Sequence, residues 1–276
     1  MSIDWMCEEA KNFYDYLVLR GRSQDTAYQN ARHVHHFLKW LGKPASDATK
    51  DDVMSYIRHL RDEKKFAEST IRNVCYALST FFTYLGNRDL ANWVPRPVPK
   101  PGEVEWLPEE TVMRVVGRDP VLRVAYELAL RVSELLLLRR DEYNPETGVI
   151  AVYRLKHKGK PNRYILQLSD ETRELLNEYI EINPCPDGRI FCMSRKAIQL
   201  RFKKALARAG IDPDRYTFHA LRHSRCTNIV INQLKKKGTA DLIVLSKFMG
   251  HLSPNTTMMY VHIATKALGM EVPIKL

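Results

Sequence analysis

Side chains suited to phosphoryl chemistry gather in the second half of this 276-residue sequence. His219-Ala220-Leu221-Arg222-His223 is followed by Met249-Gly250-His251 and, nine residues further on, by Tyr260. An arginine lies far upstream in Leu130-Arg131-Val132-Ser133-Glu134-Leu135, and a lysine lies between in Lys158-Gly159-Lys160-Pro161-Asn162-Arg163. Imidazoles, guanidiniums and a phenol are a set that can attack a phosphodiester without a metal. A phenol is a weak nucleophile at neutral pH, since its unperturbed pKa is about 10. Nearby cations and a proton acceptor overcome this. Its attack on a DNA phosphate would form a phosphotyrosyl link and expel a sugar hydroxyl. The bond energy stays in the new ester, so the break can be resealed without ATP.

Charge on a transferring phosphoryl group spreads over its non-bridging oxygens, and catalysis is mostly positioning and electrostatic stabilisation. A guanidinium forks onto two oxygens and stays charged, so Arg131 and Arg222 suit a grip on both. Arg131 sits among Leu128, Leu130, Val132, Leu135 and Leu136, where an unpaired charge is costly; Glu134, one helical turn on, is the expected partner. A plain structural ion pair explains that pair equally well. His219 and Arg222 are three apart, hence on one face of a helix that Thr217 is expected to cap. Histidine suits proton transfer near neutral pH; His223 is read as structural, on another face. Gly250 permits a tight helix exit before His251, and only a turn and one short helix fit between His251 and Tyr260, so both can address one phosphate. Lys158 sits in a turn where a flexible ammonium can reach a leaving oxygen, but Lys156, Lys160 and Arg163 crowd the same turn and spacing does not choose among the lysines.

The elements that must position these groups are mostly helical. Four helices are expected in the first 90 residues: 3–19, one after a Ser23 cap and ending at Gly42, one after Thr49, and 67–85. Joined by short loops, they predict a compact antiparallel bundle. His33, His35 and His36 lie on the second and read as partly exposed helix residues, since no acid or cysteine nearby completes a metal set. Prolines at alternate positions from Pro95 to Pro101 forbid helix and favour a semi-rigid spacer. Beyond it helices are expected at 108–117, 119–138, 169–182, 194–209, 219–236 and 239–249. Between them Val149–Leu155 and Tyr164–Leu168 read as a β-hairpin.

Net charge is +11, and it is uneven: residues 1–94 carry 13 Lys+Arg against 12 Asp+Glu, while residues 95–276 carry 30 against 20. Such a basic half fits a polyanion, nucleic acid before membrane. The helix at 194–209 turns Ile198, Phe202, Ala205 and Ala209 inward. Arg195, Lys196, Gln199, Arg201, Lys203 and Lys204 take the other faces, the pattern of a helix lying on DNA. With no run of about 18 apolar residues and no leader pattern, no membrane span is expected, and the expected compartment is the cytoplasm. Five cysteines without C-x-x-C spacing are expected to be structural thiols in a reducing compartment, with a Cys185–Cys192 disulfide as the minor alternative.

Taken together, the Leu-Arg-Val-Ser-Glu-Leu run, Lys158, His219-Ala220-Leu221-Arg222-His223, Gly250-His251 and Tyr260 resemble the active-site signature of the tyrosine recombinases, the family of Xer proteins and phage-type integrases. The resemblance selects Lys158 as the catalytic lysine by its distance from Arg163, and it implies a catalytic set of Arg131, Lys158, His219, Arg222, His251 and the nucleophile Tyr260, with Glu134 in support. In the family the lysine protonates the leaving 5′-oxygen and the first histidine of His-x-x-Arg assists the tyrosine proton. The implied fold is mainly α. An N-terminal four-helix, SAM-like core-binding domain (1–91) and a Pro-rich linker (92–104) precede a mixed α+β catalytic domain with a small antiparallel sheet (105–266) and a C-terminal tail (267–276), the whole closing as a C-shaped clamp around DNA. Lys156, Lys160 and Arg163 then join the helix 194–209 cations as DNA contacts. The implied activity is strand cleavage and rejoining at a specific site through 3′-phosphotyrosyl intermediates and a Holliday junction, by a homo-tetramer on paired sites, without metal or cofactor. Two departures stand out: Ala129 where the family usually has Gly, and a lysine-rich insert at Lys235–Gly238. The tail is expected to dock on a neighbouring subunit or to fold back on its own domain. Rival readings are a topoisomerase-like relaxer with the same chemistry, a DNA-binding protein that does not cleave, and a metal-dependent nuclease, the last disfavoured because no Asp/Glu/His cluster has ligand spacing.

Overall fold

The computed structural model describes residues 2–98, 104–154, 162–250 and 254–270. It divides into two compact units, residues 1–102 and 103–276. The architecture is mainly helical with one two-stranded antiparallel sheet.

The first unit holds five helices: α1 (Glu8–Leu19), α2 (Gln24–Leu41), α3 (Lys50–Arg58), α4 (Glu68–Tyr84) and α5 (Arg88–Trp93). Ser23 caps α2 by accepting the Thr26 N–H, and Gly42 ends it in the left-handed conformation that lacks a Cβ penalty. Thr49 and Asp52 form a reciprocal capping box at α3: the Asp52 carboxylate accepts the Thr49 N–H at 2.8 Å, and the Thr49 hydroxyl accepts the Asp52 N–H at 3.2 Å. The core between α1, α2, α3 and α4 is aromatic, with Phe13 edge-on to Phe81 at 5.2 Å and Phe37 edge-on to Tyr56 at 5.2 Å. Three details differ from the sequence reading. Helix α1 starts at Glu8 rather than near Ile3, its entry held where the Cys7 N–H donates to His35 Nδ1 at 2.9 Å. A π-helical turn, His59–Glu63, follows α3. The short α5 precedes the prolines, because the Asn87 side chain caps it through the Leu90 N–H.

The second unit contains α6 (Glu109–Val116), α7 (Pro120–Glu127), α8 (Val132–Leu135), the hairpin β1 (Val149–Arg154) and β2 (Asn162–Gln167), then α9 (Asp170–Ile182), α10 (Arg195–Arg208), α11 (His219–Lys237), α12 (Leu242–Met249) and α13 (Pro254–Ala267). The hairpin register runs from Val149 opposite Gln167 to Arg154 opposite Asn162. One apolar core gathers α6, α7, β1, α10 and the start of α11; a second joins α11, α12 and α13 through Cys226, Val230, Leu245, Met249, Tyr260 and Ala264.

The single helix expected over 119–138 is broken. Helix α7 ends at Glu127, Ala129 turns to φ +49°, and α8 restarts with Arg131 as its N-cap. Apolar periodicity runs through the break, but the carbonyls of Leu128 and Ala129 find buried guanidiniums instead of helical N–H groups. Thr217 does not cap α11; its carbonyl accepts the Ala220 N–H and Phe218 occupies the cap position. Cys185 and Cys192, expected as free thiols, are joined as a disulfide with Cα atoms 5.6 Å apart across the turn after α9. The residues 155–161, 251–253 and 271–276, which carry Lys156, Lys158, Lys160, His251 and the end of the tail, lie outside the described residues.

Removing one half of the α3 capping box tests this account of the first unit. Thr49→Ala should lower stability by about 1 kcal/mol, read as a shift of the urea unfolding midpoint with unchanged m-value.

Candidate active site

The centre of the second unit is one carboxylate shared by three guanidiniums. Glu134 is fully buried. Its Oε1 accepts from Arg131 Nη1 at 2.6 Å, and its Oε2 accepts from Arg154 Nη1 at 2.8 Å, from Arg222 Nη1 at 3.3 Å and from the Arg131 backbone N–H at 3.0 Å. Burial by itself would push the Glu134 carboxyl up, but Arg154, Arg222 and Arg131 outweigh it and hold the group below the usual carboxylate range. The carboxylate therefore stays ionised. It compensates one of three positive charges, so the cluster carries an excess that suits an anion. Burial, followed by repulsion from Arg131 and Arg154, lowers the Arg222 pKa to about 10, which still leaves it charged at neutral pH.

Several of the remaining donors of the two inner guanidiniums go to backbone, while Arg154 Nε is buried without a hydrogen-bond partner among the described residues. Arg222 donates to the carbonyls of Ala129 at 2.6 Å and Met249 at 2.7 Å. Arg154 donates to those of Leu128 at 2.9 Å and Phe248 at 2.8 Å. The last carbonyls of α12 lack helical partners and carry the negative end of the helix dipole, so they suit cations. Arg131 differs: its side chain keeps 15 % exposure, against 2 % for Arg222 and none for Arg154. It is the most exposed of the three guanidiniums.

Arg154 was not singled out from sequence. A buried arginine in a strand reads like one more basic residue beside the lysine-rich turn, and the only hint is that Val149–Arg154 is otherwise apolar or aromatic. Its seat explains Gly250. Gly250 ends α12 at φ +62°, and a Cβ there would stand 2.7 Å from Arg154 Cγ. Glycine is needed both for the conformation and for room.

Tyr260 lies on α13 with 1 % exposure. Its Oη is 3.0 Å from Nδ1 of His223. Burial, then the neighbouring Cys226, pushes the phenol above its ordinary value even though Arg222 and Arg131 pull it down. His223 is lowered to about 4 by burial, then by His219, Arg222 and Arg131. The expectation that His223 falls on another face from His219 is thus corrected. His219 and His223 are four apart, which places them on one side of a helix as surely as the three-residue step to Arg222 does. Their rings meet edge-on with centroids 5.4 Å apart, His219 on the exposed side. So Arg131, Glu134, Arg222, His219 and Tyr260 are brought into one region together with Arg154 and His223. Lys158 and His251 are outside the described residues, though each follows closely on a described anchor, Arg154 and Gly250.

The expected DNA-facing residues divide. Arg195, Lys196, Gln199 and Lys204 are exposed on α10. Arg201 and Lys203 are engaged within the protein, by Asp119 at 2.5 Å and Asp214 at 2.5 Å. Arg163 is exposed and 3.4 Å from Glu142.

Known proteins resemble this chain in sequence and in fold. Residues 111–267 match the phage integrase family, and residues 10–92 match its N-terminal SAM-like domain. The chain belongs to the phage integrase family. A putative integrase/recombinase, y4qK, of Sinorhizobium fredii is 27% identical over 279 residues, covering 94% of this chain and 86% of that protein. The tyrosine recombinase XerA of Thermococcus kodakarensis is 27% identical over 283 residues, covering 95% and 93%. In fold, the chain resembles XerH site-specific recombinase bound to a palindromic difH substrate, with a TM-score of 0.69 at 17% identity over 90% of this chain and 79% of that one. It also resembles a lambda integrase tetramer bound to a Holliday junction, with a TM-score of 0.70 at 16% identity over 93% and 78%.

The Gly250 argument has a direct check. Gly250→Ala adds a strained φ and a clash with Arg154, and should cost about 1–3 kcal/mol. A melting temperature equal to the parent's would contradict the seat described for Arg154.

Proposed function

We propose that this chain is a site-specific DNA recombinase, cutting and rejoining duplex DNA through a covalent link to Tyr260. The observation that carries the proposal is the surplus of positive charge around Glu134 beside a buried tyrosine, in a chain of the phage integrase family. Arg131 and Arg222 take the non-bridging oxygens of the scissile phosphate. Tyr260 Oη attacks phosphorus in line with the 5′-oxygen, the P–O5′ bond breaks, and a 3′-phosphotyrosyl ester remains. Lys158 protonates the leaving oxygen, and His219 and His251 complete the ring of groups around the phosphate. Glu134 keeps Arg131 and Arg222 oriented. The reverse attack by a 5′-hydroxyl reseals the strand, with neither ATP nor metal required.

In this reading residues 1–91 form the core-binding domain, 92–104 the linker, 105–266 the catalytic domain and 267–276 the tail. Arg195, Lys196, Gln199 and Lys204 on α10, with Lys156, Lys160 and Arg163 on the hairpin, approach the phosphate backbone. Arg201 and Lys203 join them on leaving their present acidic partners. The active form is a homo-tetramer holding two paired sites, working in the cytoplasm.

On a nicked duplex carrying the recombination site, which traps the cleaved state, the wild-type chain should become covalently attached to DNA. Tyr260→Phe should bind that duplex as well as wild type and give no covalent product. Arg222→Lys should bind and cleave about 10²-fold more slowly, since an ammonium cannot fork onto two oxygens. Cleavage within a few-fold of wild type by that variant would count against the clamp. EDTA should leave all of this unchanged, and a loss that magnesium restores would favour a metal-dependent nuclease.

The basic faces make a separate prediction. The logarithm of the DNA-binding constant should fall linearly with the logarithm of salt concentration, by roughly 0.9 per phosphate neutralised. Replacing Lys196 and Lys204 with alanine should flatten that slope by about two of these steps. An unchanged slope would remove α10 from the DNA interface.

A further inference from the structure

We propose that His223, rather than His219, accepts the phenolic proton of Tyr260 when the tyrosine attacks. The inference rests on the recombinase reading above and assigns one step within it. Among the described residues, His223 brings an imidazole into contact with the reacting oxygen, with Nδ1 3.0 Å from Tyr260 Oη. That distance is already within the reach a general base needs. The contact is made across the packed surfaces of α11 and α13, where Tyr260 has 1 % exposure and bulk water is not at hand as an alternative base. His219 stands further out, exposed at the first residue of α11, with its ring edge-on to that of His223. It is placed to steady the inner ring.

The resting charges agree with this assignment. Among the described residues, the groups facing His223 are His219 and Arg222 on its own helix, Arg131 at the start of α8, and Tyr260 on α13. Burial and these cations keep the imidazole neutral at pH 7, and burial keeps the phenol protonated. With both neutral, the Nε2–H tautomer of His223 leaves Nδ1 able to accept the phenolic O–H, and this is the tautomer the proposal requires. A phosphodiester bound between Arg131 and Arg222 brings a negative charge that offsets theirs, so an imidazolium at His223 becomes easier to form at the moment it is needed.

The step balances without any further reagent. An electron pair on Tyr260 Oη forms the new O–P bond as its proton moves to His223 Nδ1. The P–O5′ bond breaks, and the leaving 5′-oxygen takes a proton from the general acid on the opposite side. Resealing runs the same path backwards, with His223 returning the proton to Tyr260.

The test uses the full-length chain on the nicked duplex, with cleavage rate as the readout and DNA binding as the control. His223→Ala should bind normally and cleave about 10²-fold more slowly or worse, the range expected for loss of a general base. A fluorinated tyrosine at position 260 gives up its proton more readily, so it should speed the His223→Ala chain by about tenfold while changing the wild-type and His219→Ala rates much less. A purely structural role for His223 predicts the same effect of fluorination in every background. If His223→Ala is poorly folded, His223→Asn keeps a polar atom near Nδ1 without its basicity and is judged by the same comparison. Cleavage by either variant within about threefold of wild type, or equal acceleration by fluorination throughout, overturns the proposal. Should the wild-type chain form no covalent link at all, the recombinase reading itself fails; a wild type that links through Tyr260 beside unimpaired His223 variants sinks only the role of His223.

Discussion

Everything in the second unit is organised by one buried carboxylate. Glu134 has no exposure and accepts from three guanidiniums that reach it from α8, β1 and α11. A buried ion pair seldom gains much over a well-packed apolar replacement, but deleting one partner typically costs about 3–5 kcal/mol because the others are left uncompensated. The unusual feature is the ratio of charges. One anion among three cations is too few for neutrality, and the shortfall is met by the carbonyls of Leu128, Ala129, Phe248 and Met249. Carbonyl dipoles solvate a guanidinium without cancelling its charge. The site is thereby held rigid and still attractive to a phosphate.

That constraint explains the irregular backbone around it. The break between α7 and α8 looks like a defect in an apolar helix until its free carbonyls are followed to Arg154 and Arg222. The same is true of the tight end of α12. In both places regular hydrogen bonding is given up so that oxygen atoms can face cations, and in both the backbone takes a positive φ, at Ala129 and at Gly250. Alanine at the first of these positions is tolerated because φ +49° lies within the small left-handed region open to residues with a side chain.

Much of this was legible in the sequence, and the parts that were not share a cause. Periodicity located most of the second-unit helices and the hairpin to within a residue or two, because burial of one face is a local, repeating signal; the exceptions are the broken 119–138 and the helix expected at 239–249, which starts at Leu242. Residue type, spacing and the family resemblance singled out Arg131, Glu134, His219, Arg222 and Tyr260, which the structure brings into one region. The break at 128–131 was missed because its reason lies in residues distant in the chain. Arg154 escaped notice because a strand shows no spacing rule that sets a buried cation apart from an exposed one. His223 was misplaced by attending to the three-residue step and neglecting the four-residue one. The Cys185–Cys192 bond depends on the path of a turn, which composition does not encode.

The scattering of the pieces along the chain has a consequence for a nascent polypeptide. Arg131, Arg154, Arg222 and Tyr260 come from separate elements, and the tyrosine comes from α13, which follows all the others in the chain. The carbonyls that orient the guanidiniums face them only once α8, β1, α11 and α12 have all docked. In the proposed function Tyr260 is the nucleophile, so a chain still emerging from the ribosome, or one that lacks α13, would have no assembled group with which to nick the genome. Reactivity of that kind would arrive together with the completed tertiary structure.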